Sequence, residues 1–178
     1  KMENSKILIC IASHYYEHYE EFENIQSMSE KLTSFHNKLN DMFSCFDEFF
    51  YYSKYVTIFV DTNSCKTEED FRELYPNYHK YKENIRFFVH KNMENPFDLT
   101  WKHREHIRNE INNYDWFLYS ENDMLISKEN FYNFAEKFSK LSNYNCIPSF
   151  VRIETFKGDQ YISDCIHINT YTRDQVII

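Results

Sequence analysis

The chain has 178 residues and a formal net charge of -8. That balance supplies no broad basic surface to neutralise phosphates, which argues against a non-specific nucleic-acid binder. Apolar residues make up 42% and aromatic residues 19% of the chain, too much for a disordered segment, so the rings are expected to fill a core. The five cysteines, Cys10, Cys45, Cys65, Cys146 and Cys165, are odd in number and widely spread. Without a C-x-x-C pair they point away from a zinc knuckle and toward a reducing, cytoplasmic setting. No apolar run is long enough to cross a bilayer and no signal-peptide pattern opens the chain, so membrane association would need a region outside this stretch.

Strands and helices alternate along the chain. Lys6 to Ser13 is a near-continuous apolar run, the pattern of a strand buried on both faces. Apolar residues from Phe22 to Phe49 then recur in steps of three and four, which predicts a long amphipathic helix ending near Tyr52. Tyr55 to Val60 is a second strand. Thr67 should cap a short helix that Pro76 stops. Ile85 to His90 is a third strand, and Thr100 is expected to cap a helix that ends at Asn112 and Asn113. Trp116 onward is a fourth strand, Ser127 starts a helix carrying Phe131, Phe134, Ala135, Phe138 and Leu141, and Ile147 to Glu154 is a fifth strand near an edge because of Pro148. Tyr161 to His167 reads as a further short strand. Such alternation implies an α/β sheet with right-handed crossovers, in one domain.

The stretch from Asp115 to Ile126, D-W-F-L-Y-S-E-N-D-M-L-I, turns from a buried strand directly into Glu121, Asn122 and Asp123. The carboxyl edge of an open α/β sheet is where ligands bind. An acidic pair there suits a hard divalent cation, which in turn suits a phosphorylated substrate. The single glycine, Gly158, points the same way. A P-loop or a dinucleotide fingerprint needs several glycines to bring backbone close to phosphate. A diphosphate bound here needs another device, and a carboxylate-held metal is the candidate.

The order of strands, the missing phosphate-binding glycines, and three stretches resemble the GT-A class of nucleotide-sugar glycosyltransferases. The stretches are N-P-F-D-L-T-W-K-H-R (Asn95 to Arg104), D-W-F-L-Y-S-E-N-D-M, and I-P-S-F-V-R-I-E (Ile147 to Glu154). The similarity extends over Lys6 to Glu154. The D-x-D motif of the class becomes Glu121-Asn122-Asp123, with its second acid kept. The resemblance implies a GT-A-like (Rossmann-like), mostly parallel central sheet with helices on both faces, forming one domain over residues 1–178. Acceptor-binding segments of the class could lie beyond Ile178.

The same resemblance implies roles. Ser13 and His14 would lie near the nucleotide, and Asp61 would contact its base or ribose. Arg104, with Lys102 and His103 beside it, would reach the diphosphate or sugar. Glu121 and Asn122 would contact the donor. Asp123 would ligate Mn2+ or Mg2+, with His167 as a later ligand; imidazole suits manganese better than magnesium. An inverting enzyme would need a carboxylate base for the acceptor hydroxyl, for which Glu154 and Asp164 are the candidates. The implied activity is a metal-dependent transfer of a sugar from a nucleoside-diphosphate sugar to a glycan or other hydroxyl acceptor. A nucleotidyltransferase is the enzymatic alternative, although Ser13-His14-Tyr15-Tyr16 lacks the glycine- and basic-rich first loop of that reaction. A non-catalytic binding or assembly module on the same fold is the alternative from another class.

Overall fold

The computed structural model describes residues 2–14, 28–63, 68–91, 93, 95–144, 146, 148–150, 153–156 and 159–162. Its contacts divide the chain into two compact units, Lys1–Tyr132 and Asn133–Ile178. The first is an α/β unit built on four parallel strands: β1 (Lys6–Ser13), β2 (Tyr55–Thr62), β3 (Ile85–Val89) and β4 (Trp116–Glu121), in the order β3-β2-β1-β4. Between them run α1 (Met28–Phe49), α2 (Glu68–Leu74), α3 (Tyr78–Tyr81), a 3-10 turn at Pro96–Trp101, and α4 (His103–Glu110). Among the described residues no helix is long and apolar enough to cross a membrane.

β1 sits between β2 and β4, with Ile9 opposite both Ile58 and Leu118. Every residue of β1 after Lys6 is buried, as expected of a strand covered on both faces. Alternate residues divide between the two faces. Ile7, Ile9, Ile11, Ile58 and Val60 join the larger core with Met42, Phe46 and Phe49 of α1 and Phe71 of α2. Leu8, Cys10 and Phe59 face the other way, toward Ile107 of α4. The chain steps from β1 to β2 to β3 with helices on the first face, then reverses past β1 to reach β4 with α4 on the second. A right-handed crossover requires this change of face when the direction reverses. In open α/β sheets a reversal of this kind is where ligands bind, outside the carboxyl ends of the strands.

The loop after β4 is pinned from several sides. The Asn122 N–H donates to the Ala12 carbonyl at 3.2 Å, and the Met124 N–H to the Glu121 carbonyl at 3.2 Å. Farther on, the buried Tyr52 hydroxyl donates to the Ile126 carbonyl, and Glu48 at the end of α1 accepts from the Lys128 N–H at 2.6 Å. Tyr52 also stacks on Phe131, with centroids 4.7 Å apart. The end of α1 thus fixes where the acidic turn leaves the sheet. Ser127 caps the next helix, α5 (Lys128–Leu141), through its Oγ and the Asn130 N–H at 3.2 Å.

Several element boundaries differ from the sequence expectation. The Thr100 hydroxyl donates back to the Phe97 carbonyl at 2.7 Å, so Thr100 lies inside a turn and caps nothing. Asn95 caps that 3-10 turn, its side chain accepting from the Phe97 N–H at 3.1 Å, with Pro96 following at a position where its missing N–H costs little, and α4 itself starts after Lys102 without a side-chain cap. The proposed fifth strand, Ile147 to Glu154, does not extend the parallel sheet. Instead β5 (Ile153–Phe156) pairs antiparallel with β6 (Asp159–Ile162) as a separate two-stranded sheet within the second unit. Pro148 and the only glycine, Gly158, disfavour a continuous run here, and four residues on each side of residues 157–158 suffice for a hairpin. The expected Thr67 cap, the part of the long helix before Met28 and the strand beyond Ile162 lie outside the described residues.

Candidate functional site

The carboxyl edge of the sheet gathers Ser13 and His14 after β1, Asp61, Thr62 and Asn63 at the end of β2, His90 after β3, and Glu121 to Asp123 at the end of β4. Ala12 is opposite Asp61 on one side and Glu121 on the other, so these acids flank the central strand. Ser13 is fully buried, and among the described residues its hydroxyl has no hydrogen-bond partner. The Asn122 side-chain nitrogen and the Tyr119 hydroxyl are in the same condition. Buried polar atoms are nearly always paired, with protein or with water, so each of these three calls for a polar partner.

Asp61 is 2% exposed, and its Oδ1 receives two imidazoles, His90 Nε2 at 2.7 Å and His106 Nε2 at 3.1 Å. A carboxylate oxygen only accepts, so both Nε2 atoms carry hydrogens. The His106 ring lies between Phe59 and Phe88, 5.2 and 4.3 Å from their centroids. This network was not foreseen from sequence. The available signal was that Asp61 and His90 both end strands, while His106 falls one turn after His103 on the helix that covers them. Only the pairing of β2 with β3 makes those positions neighbours.

Glu121 and Asp123 act in different places. The charge of Glu121 helps hold the Tyr119 phenol protonated, after burial, pushing its pKa up to about 12. Asp123 is exposed in the turn, and its charge reaches Cys45 of α1, whose thiol burial pushes up to about 12 with further help from Asp41 and Asp123. Arg104 is exposed and places its guanidinium 3.7 Å from the centre of the Trp101 ring. Glu154 lies in β5 opposite Tyr161; its side chain, and all of Asp164 and His167, lie outside the described residues. Among the described residues no three His, Cys, Asp or Glu side chains converge as a metal cage. A cage is not the only way to hold a hard cation, which can also take one or two carboxylates and complete its shell with water and substrate phosphate.

His103 is stacked on Tyr119, with centroids 4.1 Å apart and planes at 28°. Its Nδ1 lies 2.6 Å from the Thr100 carbonyl. Burial lowers its pKa from the ordinary 6.5, against the opposing effect of that hydrogen bond. The unfolded chain therefore takes up the proton first as pH falls. The stability contributed by a neutral His103 is complete above the ordinary value and is lost as pH drops from there toward the depressed folded value. Thermal melts from neutral to mildly acidic pH should show a falling Tm in that window, and His103→Gln should flatten the slope. An equal slope in the variant would place the proton uptake on other groups.

The described residues thus form a four-stranded parallel α/β sheet whose order reverses at β1, with unpaired polar atoms and acids near that point. Comparison with family models, with curated proteins and with solved structures gave no match.

Proposed function

We propose that the chain is a divalent-metal-dependent glycosyltransferase of the GT-A class, transferring a sugar from a nucleoside-diphosphate sugar to a hydroxyl acceptor such as a glycan. The observation that carries this reading is the end of β1 and β4, at the reversal of strand order, where the buried Ser13 hydroxyl and the Asn122 amide nitrogen lack partners among the described residues beside the Glu121–Asp123 turn. A diphosphate offers acceptor oxygens to those two donors. With one glycine in the chain, no glycine loop can wrap it. Asp123 would hold Mn2+ or Mg2+, with Glu121 on the Tyr119 side contacting the donor, and the cation would neutralise charge on the departing nucleoside diphosphate. Asp61, at the end of β2, would contact the ribose or base; its Oδ1 already accepts from His90 and His106.

Uridine or guanosine diphosphate is expected to raise Tm only when Mn2+ or Mg2+ is present. At a hundredfold excess over Kd the gain is about 2.7 kcal/mol, several degrees for a chain of this size. Equal stabilisation in excess chelator would remove the metal from the account. Release of free sugar from the donor, or its transfer, then separates an enzyme from a binding module that only holds the nucleotide.

A further inference from the structure

We propose that Tyr119 and His103 form a subsite for an uncharged ligand hydroxyl on the α4-covered face of the sheet edge, a proposal that rests on reading this edge as the nucleotide-sugar site. Tyr119 stands opposite Cys10 of β1, and two residues on Glu121 stands opposite Ala12. Neither Cys10 nor Ala12 gives the phenol a hydrogen-bond partner. His103 lies across the Tyr119 ring from the first turn of α4.

The hydrogen inventory of the pair decides what fits. The Thr100 carbonyl can only accept, so His103 Nδ1 carries the ring hydrogen. In the neutral ring Nε2 then has a lone pair to offer. The Tyr119 hydroxyl is buried and has no partner among the described residues. Burial and the charges of Glu121 and Asp61 keep its proton in place, so it is a donor. One uncharged donor beside one uncharged acceptor is complementary to a C–OH group, which accepts from the phenol and donates to the imidazole. A phosphate brings no proton for Nε2, and Glu121 and Asp61 repel it. An ammonium leaves the phenol proton without an acceptor. The hydroxyl has two sources in a nucleotide sugar, the ribose and the transferred sugar.

The test uses Tyr119→Phe, which removes the donor and nothing else, titrated beside the parent with Mn2+ present. The ligands are uridine and guanosine diphosphate, their 2′-deoxy forms and their glucose conjugates. The parent is expected to favour one hydroxyl-bearing ligand over its counterpart by about tenfold. Tyr119→Phe should lose that preference, bind the counterpart as the parent does, and melt no lower without ligand. A lost preference within the ribose pair assigns the hydroxyl to the nucleoside; one within the conjugate pair assigns it to the sugar. A preference kept in Tyr119→Phe, or a ligand-free Tm several degrees lower, would overturn the subsite and leave the phenol a structural group. If the parent binds no nucleotide at all, the diphosphate reading fails. The subsite is then read with ribose and glucose alone, from the His103 ring-proton shift, identified through His103→Gln. A shift in the parent that is absent in Tyr119→Phe supports it, and a shift in neither, or in both alike, overturns it.

Discussion

Asp61→Leu is expected to destabilise the folded chain by about 3 kcal/mol, a loss of roughly 6–12 °C in Tm for a chain of this size. The carboxylate is 2% exposed and is the shared acceptor for two imidazole N–H groups. Leucine fills similar space but leaves both donors without a partner. The His90 and His106 side chains are 26% and 16% exposed, so water recovers part of the loss, more at His90 than at His106. A second substitution isolates the cause. His106→Phe would place a ring where the imidazole already meets Phe59 and Phe88. In that background Asp61→Leu should cost less than in the parent, because one stranded donor is gone. Chemical denaturation of the four proteins gives the coupling directly. Strict additivity would show that the His106 contact contributes nothing and that Asp61 matters through His90 or its other surroundings.

Asp123→Asn is expected to abolish cation-dependent nucleotide binding, a loss of at least about 3 kcal/mol or roughly a hundredfold in Kd. The change keeps size and shape but removes the negative charge, and the bond of a hard cation to a carboxylate is largely electrostatic. Folding should not suffer. Asp123 is exposed, and it and Asp41 both press on Cys45, so two negative charges share that neighbourhood. Removing one relieves like-charge repulsion, and the metal-free Tm should stay level or rise slightly. Glu121→Gln should weaken binding without abolishing it, since Glu121 is half-buried beside Tyr119 while Asp123 faces outward. Calorimetry with Mn2+ and a nucleoside diphosphate reads both variants. Parent-like binding by Asp123→Asn would make the turn a structural feature and take the glycosyltransferase reading with it.

The four parallel strands were legible in the chain because each is rich in apolar residues, most fully in β1 and least in β3, where Arg86 interrupts the run. Lys6–Ser13 and Tyr55–Thr62 carry their whole signal locally. The acids at the strand ends were legible for the same reason: a charged residue next to a buried run can only lie where the strand leaves the sheet. The fifth strand was not, because the run from Ile147 to Glu154 says that a strand can form and not which partner it takes; β5 takes β6, which begins three positions after β5 ends. The interactions at the edge were beyond reach for a related reason. Asp61 meets His90 across 29 positions and His106 across 45, and Tyr119 meets His103 across a helix-to-strand packing. No local period encodes those meetings. They follow from strand order and from the face α4 covers, which the handedness of the crossovers imposes only once the whole sheet has formed.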